Sequence, residues 1–476
     1  MAEFFEHPEY RANKENWKKW KDLYDADHET LVSNPDYLWP HTIEEKNPNL
    51  FRARKRRTRY LEIPEIVVSV WTSFFFRNPI EPSDDALELL VDFIESVDRK
   101  EMSFTALGLK FVETYLQAGK AAILVDAPAE GENLEPYASV IHPLEIKDWQ
   151  EEEADSVRMG RLNMLRREYK ATLARSSLME KPREVVISDL YERVANNQIQ
   201  VTRFQKDVKQ KVSGQKNKEG EWQAVSEFTL ALSEIPFVII QDTSWIKGVC
   251  EETLRHFNLR SCRDNIQHQQ GYTNIFIVGM DAEDSKAVQA ISEYTWPILP
   301  VGASVTPISP TSTDSYDRNI SEALMTAFKV GLNQMRSVAS DSRAVQSAES
   351  IHAEKDERIA LVESTRDMFS KALSQVLVLV AEFKGVSGEF LASLSFDLTE
   401  DDMQEFSQNY MTFAEQFRRN PEYNRLAFEK VLGKMFSEAE LEQVESAGIV
   451  TSELEIPTFQ NEFQRILEED DNREAN

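Results

Sequence analysis

ETLRHFNLRSCRDNIQHQQ (Glu252–Gln270) opens the part of the chain that changes character four times, and that order of elements points to the architecture. Leu254, Phe257, Leu259 and Ile266 fall at loosely helical spacing with no Gly or Pro inside, which predicts a helix. The next segment, TNIFIVGM…EYTWPILPVGASVTPISP (Thr273–Pro310), mixes β-branched and aromatic residues with Gly279, Pro297, Pro300, Gly302, Pro307 and Pro310. That punctuation predicts a compact strand-containing insert. From Thr313 to Met335 the helical period returns, through Ile320, Leu324, Ala327, Phe328, Leu332 and Met335. RSVASDSRAVQS (Arg336–Ser347) then breaks the stripe with small and polar residues. Ile351, Ile359, Val362, Phe369, Leu373, Val376, Leu377 and Val380 resume it up to Gly385, a natural stop. The order is helix, β insert, helix, polar loop, long helix.

Working outward toward the N-terminus, residues 1 to 48 set Trp17, Trp20, Tyr24, Tyr37 and Trp39 among charges, and Pro8 to Asp27 reads as an amphipathic helix. FRARKRRTRY (Phe51–Tyr60) holds six basic residues and runs straight into the apolar LEIPEIVVSVWTSFFF (Leu61–Phe76). A basic run can serve nucleic acid, but this continuation favours the exposed face and start of a helix buried on its other side. DDALELLVDFIESVD (Asp84–Asp98) has one amphipathic stripe through Leu87, Leu90, Val91 and Ile94. SFTALGLKFVETYLQAG (Ser103–Gly119) ends on a Gly and feeds a buried strand, AAILVDAP (Ala121–Pro128). Gly119–Lys120 does not make a phosphate-binding loop: Ala121 replaces the required hydroxyl, and the pair precedes a strand instead of opening a helix.

PYASVIHPLEIKDWQ (Pro136–Gln150) alternates as a strand, whereas Glu151–Lys170 reads as partly helical. Two strands flank Asn196–Asn197, and Lys206–Trp222 is an exposed polar tip. Glu227–Thr243 gives two strands broken at Pro236, and Leu391–Met403 returns one more. The tail is helical, with Ser437 and Glu440 forming a capping box. Together these elements predict an α+β fold.

At 476 residues the chain can hold two to four domains, and 41% hydrophobic with 29% charged residues is the composition of a soluble protein. A net charge of −28 argues against an open, sequence-reading nucleic-acid binder. It does not argue against a conduit, whose wall should repel phosphates so that DNA slides. Cys250 and Cys262 are too few for a disulfide framework. MAEFFEHPEYRANKENWKKW places charges where a signal peptide needs an apolar core, and no run approaches a membrane span, so a soluble chain outside the membrane is expected.

The seven histidines are scattered; His256 and His268 lie more than three turns apart on one helix and cannot share a metal. There is no HExxH and no GxSxG, and pairs such as Asp401–Asp402 nominate no site. No catalytic residue, metal site or cofactor is expected.

The order of elements from Glu251 onward resembles the portal proteins of tailed bacteriophages. FFFRNPI (Phe74–Ile80), the Gly followed by a strand ending in Asp and Pro (Gly119–Pro128), Asp148–Trp149 and Ile235-Pro236-Phe237-Val238 match that family's pattern at the corresponding places. The resemblance covers most of the chain and implies an N-terminal segment (1–50), a mixed α/β wing (51–250) and a first stem helix (251–271). A clip (272–311), a second stem helix (312–335), a tunnel loop (336–347), a spine helix with a returning strand (348–400) and a helical crown (401–476) complete it.

It further implies a ring, twelve copies in most of the family, at one capsid vertex, through which double-stranded DNA is packaged, retained and ejected. The expected partners are the terminase large subunit, which supplies ATP hydrolysis, the major capsid and scaffolding proteins and a tail adaptor; the expected location is the virion, and the host cytoplasm during assembly. Leu254, Phe257, Ile266, Ile320, Leu324, Phe328 and Leu332 would be buried between subunits. Ile275, Phe276, Ile277, Trp296 and Ile298 would form the docking clip. Arg336, Ser337, Asp341 and Arg343 would face DNA, unless the two arginines pair with acids of a neighbour. Two other classes stay open: a capsid or tail adaptor oligomer, and a metal-dependent nucleic-acid enzyme.

Overall fold

The computed structural model describes residues 4–127, 135–151, 161–173, 183–194, 198–207, 221–270, 275–278, 304–307, 312–332 and 348–394. Over these the fold is α+β, with helices and antiparallel sheets.

Helix α1 (Pro8–Asp25) starts where the His7 ring accepts a hydrogen bond from Glu9 N, with Pro8 pre-set for the first turn. It buries Tyr10, Trp17, Trp20 and Leu23, and the Trp17 indole donates to Ala118 O at 3.0 Å. Helix α2 (His28–Ser33) is capped by Asp27. Then come two short helices, α3 (Thr42–Lys46) and α4 (Pro48–Lys55); residues 37–57, which contain them, are here called the strap. The basic run closes α4 and does not open the next helix: residues 56–62 break the chain before α5 (Ile63–Phe75), and Arg54 is buried. Helix α5 is buried along nearly its whole length.

Strand β1 (Ile80–Pro82) leads to α6 (Asp84–Leu89) and α7 (Val91–Glu95), two helices where the sequence pattern predicts one. Leu90 leaves helical geometry, so that Ala86, Leu90 and Phe93 are buried while Leu87 and Val91 stay exposed. Helix α8 (Phe104–Ala118) ends as the sequence predicts, on Gly119 at φ +70°. A Cβ there would meet Asp242 O at 2.6 Å, so conformation and space both demand glycine. The chain turns directly into β2 (Lys120–Asp126), the buried centre of a three-stranded sheet between β3 (Tyr137–Ile141) and β9 (Phe237–Gln241). Lys120 is therefore a strand residue, its ammonium 3.6 Å from the Trp149 ring centre and 3.4 Å from Glu9 Oε1.

A 3₁₀ turn (Pro143–Glu145) divides residues 136–150 into β3 and β4 (Ile146–Glu151). The second sheet is an antiparallel meander: β4, β5 (Leu162–Leu173), β6 (Arg183–Val194), β7 (Gln198–Asp207) and β8 (Gln223–Leu230). The part-helical reading of 151–170 fails at β5, because ten successive pairs with β6 override the helix propensity of its Leu, Arg, Glu and Lys residues. Arg203 and Asp189, directly opposite on β7 and β6, bond at 2.6 and 2.9 Å and help fix the register. At the β4 edge His7 N donates to Lys147 O at 2.9 Å.

Helix α9 (Lys247–Gln270) begins one turn earlier than the sequence suggests. After it come β10 (Ile275–Val278) and β11 (Ser304–Pro307), antiparallel to each other, then α10 (Asp314–Leu332). Helix α11 (Ala348–Lys384) has 37 residues, roughly 55 Å at 1.5 Å per residue. It stops at Gly385, φ +66°, where Val386 N donates to Ala381 O. Strand β12 (Ala392–Leu394) then pairs with β1. Phe369 of α11 inserts edge-on between Phe75, Phe111 and Tyr115, while Trp71 and Phe75 pack on Trp245. This aromatic junction ties α5, α8, α11 and the entry to α9 into one core.

The expected crown (401–476), Trp296, Ile298, Arg336, Ser337, Asp341, Arg343 and the Ser437–Glu440 capping box lie outside the described residues.

Candidate stem helix pair and its anchor

Helices α9 and α10 form an antiparallel hairpin whose register can be followed contact by contact. At its base Gly248 faces Val330 so closely that a Cβ would lie 2.7 Å from Val330 Cγ1. Further along, Arg255 reaches Glu322 at 4.0 Å and Arg263 Nη1 donates to Asp317 Oδ1 at 2.9 Å. β10 and β11 are likewise antiparallel, Ile275 opposite Pro307 and Val278 opposite Ser304. The helix pair and this ladder, consecutive in the chain, are here called the arm. Ile275, Phe276 and Ile277 sit in that ladder, paired with Pro307, Thr306 and Val305.

The apolar side chains of this arm face inward in a single chain. Leu254, Phe257, Ile320, Leu324 and Phe328 are all buried, and Ile266 is half-buried. Helices α9, α10 and α5 pack on one another, Tyr60 meets Phe257 edge-on at 5.4 Å, and the Trp71 indole donates to Gly331 O at 2.9 Å. This corrects the expectation that these five residues need a neighbouring subunit to leave water. Periodicity identifies a buried face but not the molecule that buries it. Surfaces available to a neighbour are instead the outward side chains, such as Arg318, Glu322 and Lys329 on α10. Of Leu332 the structure describes the backbone only.

A second face of α9 is polar. Asn258, Ser261, Cys262 and Asn265 follow at helical spacing, and all four point to the N-terminal strap. Asn258 accepts from Trp39 N at 2.9 Å and donates to Tyr37 O at 2.8 Å; Asn265 accepts from Arg57 at 2.7 Å. Cys262 Sγ lies 3.4 Å from His41 Nε2. At the centre is Arg54, fully buried, which holds both oxygens of Glu44 at 2.8 Å and donates to Ser261 Oγ at 2.9 Å and Trp39 O at 2.6 Å. Burial alone would raise the Glu44 carboxyl; the Arg54 hydrogen bonds and the bond from His41 N more than offset it, and the group sits below its usual value. Sequence reasoning missed Arg54, Glu44, Asn258 and Ser261. The one available signal was the polar period of Asn258, Ser261 and Asn265 on α9, which the apolar residues between them obscured; Arg54 and Glu44 gave none.

His256, also on α9, has its imidazole pushed down to about 3 by burial, with Arg260 and Arg263 adding to the effect, so it is neutral in the folded chain. Among the described residues no group of three or more His, Cys, Asp or Glu side chains is placed to hold a metal ion, and no helix is long and apolar enough to cross a membrane.

No family model matches the chain, and no curated protein sequence matches it. Solved structures similar to it include a chain from the neck of a native GTA particle computed with C12 symmetry, 11% identical with TM-score 0.34, covering 73% of this chain and 85% of that one. A chain from the neck of an empty GTA particle computed with C6 symmetry is 11% identical with TM-score 0.33, covering 82% and 90%. A chain from the virion of a native gene transfer agent (GTA) particle is 10% identical with TM-score 0.35, again covering 82% and 90%.

Mechanically, the arm's inner seam is sealed by apolar packing and its strap seam by hydrogen bonds, so α9 is fixed in rotation from two sides. A rod held this way keeps its outward charges at fixed positions for other molecules to meet.

Proposed function

We propose that the chain is the repeating subunit of a portal ring at one vertex of a tailed-phage capsid. Genome DNA is packaged, held and released through the ring's central channel. The reading is carried by the two-stranded arm, α9 into β10 and β11 back into α10, followed after residues 333–347 by the long α11. In that role the β ladder, with Ile275, Phe276, Ile277, Trp296 and Ile298, forms the dock for the terminase large subunit and later the tail adaptor, by strand and side-chain contacts. Residues 336–347 approach the DNA; Arg336 and Arg343 meet phosphate, with Ser337 and Asp341 beside them. The ring, of twelve copies, is embedded among major capsid and scaffolding proteins, assembles in the host cytoplasm and stays in the virion. The subunit itself catalyses nothing. ATP hydrolysis belongs to the motor it docks.

A second reading, a capsid or tail adaptor oligomer, is favoured by one observation: the apolar faces of α9 and α10 are already closed within one chain, so ring assembly is not required to keep them dry. Light scattering on the purified protein separates the readings. A portal gives a particle of about a dozen chain masses with no magnesium-dependent DNA cleavage. A small oligomer supports the adaptor, and nucleolytic turnover rejects both.

A further inference from the structure

Two exposed patches on this chain are chemical complements. The strap's inner side is committed to α9, but its outer side leaves Trp39 53%, Ile43 71% and Leu50 45% exposed, beside exposed Arg52 and Arg56. Residues 51–60 contain six basic side chains and no acid. The second patch lies on α6 and α7, where Leu87 is 48%, Leu89 38% and Val91 41% exposed, beside exposed Glu88 and Asp92. Residues 84–98 contain six acids and no base. In the chain the 13-residue helix α5, roughly 20 Å long, lies between the strap and the β1–α6 turn. Apolar residues exposed together and rimmed by one sign of charge mark contact surfaces more often than lone exposed residues do.

We propose that the strap patch of one copy docks on the α6–α7 patch of the next. Nucleic acid would engage the arginines but has no use for Trp39, Ile43 and Leu50, and a chain of net charge −28 repels it elsewhere. A second copy satisfies both patches at once, since every chain carries one of each. The contact is head-to-tail: the two surfaces differ, and repetition of the same rotation closes a ring or, if it does not close, grows a filament. Apolar side chains supply the buried centre, and the opposed charges set register and speed encounter. This deepens the ring reading and rests on it for closure.

Charge reversal tests it. Arg52→Glu with Arg56→Glu, or Glu88→Arg with Asp92→Arg, should each raise the concentration needed for assembly on the order of tenfold or more, measured by sedimentation velocity. All four substitutions in one chain restore opposite charges across the contact and should bring assembly back near the unmodified level. The proposal is overturned if either pair assembles normally, or if the fourfold variant stays monomeric with an unchanged thermal midpoint. Loss of duplex DNA retention by the arginine pair with assembly intact would assign the strap patch to nucleic acid and also overturn it. A lower monomer midpoint for the Glu88/Asp92 pair with assembly intact would assign that patch to residues 395–476 of the same chain, and the copy-to-copy contact would again be rejected. Unmodified protein that stays monomeric at every concentration removes the ring reading itself, a separate result.

Discussion

Helix α9 is held on two faces by opposite chemistry. Toward α10 and α5 it offers Leu254 and Phe257 to Leu324 and Phe328, a seam whose stability scales with buried area and tolerates changes of shape. Toward the strap it offers Asn258, Ser261 and Asn265 to Arg54, Arg57 and backbone groups, a seam in which each partner depends on the others. The apolar seam makes the arm. The polar seam fixes its rotation, because hydrogen bonds fail with small misalignments that dispersion contacts survive.

The largest effect should come from hollowing the apolar seam. Phe328→Ala removes a fully buried ring and should cost about 3–5 kcal/mol in urea unfolding. A loss below about 1 kcal/mol would mean that the arm's burial is not what stabilises it. Breaking the polar seam at its centre comes next: Arg54→Ala strands the buried Glu44 carboxylate and should cost about 3 kcal/mol or more. The signature that separates the seams is rescue. Arg54→Met combined with Glu44→Leu should recover most of the loss, since neither charge is then left unpaired; a double variant no better than Arg54→Ala would contradict a seam built on mutual dependence.

Acid should act on the polar seam and on the buried histidines in the same direction. Glu44, held below its usual value, contributes stability that is present above the ordinary carboxylate range and lost as pH falls through its lowered folded value. His142 and His256 are each pushed down to about 3 from an ordinary 6.5, mainly by burial. The unfolded chain therefore binds more protons between those values, and stability falls as pH drops from about 6.5 toward 3, by up to about 1.4 kcal/mol per pH unit for each histidine. His256→Gln should flatten the slope measured by urea titration at successive pH values; an unchanged slope would show that His256 is not buried neutral. The smallest effect is at the arm's base. Trp71→Phe deletes the indole bond to Gly331 O and should cost about 1 kcal/mol, with faster amide exchange confined to the last turn of α10. Unchanged exchange in that turn would show that the indole bond does not hold it.

The same contrast explains what the sequence reveals. Leu254 and Phe257, with Ile320, Leu324 and Phe328, are legible as helical stripes because apolar period survives any surroundings. Their partner is not, and the structure places it inside the chain. Gly119 announces both the end of α8 and the turn into β2, since no other residue fits. Arg54 and Glu44 are ten positions apart on two short helices joined at Asn47, and no local pattern links them. The split at Leu90 and the strand at 162–173 are decided by which neighbours are present, α8 and β6, and propensity alone points the other way. Of the basic run, expected on an exposed helix face, Arg52 and Arg56 are on the surface and Arg54 is buried.

Electron microscopy of the purified protein viewed end-on bears most directly on the ring. Closed rings are expected, with a central hole wide enough for duplex DNA and the α9–α10 arms arranged around it. Isolated monomers, open filaments, or rings whose holes are closed to a duplex would contradict the portal reading.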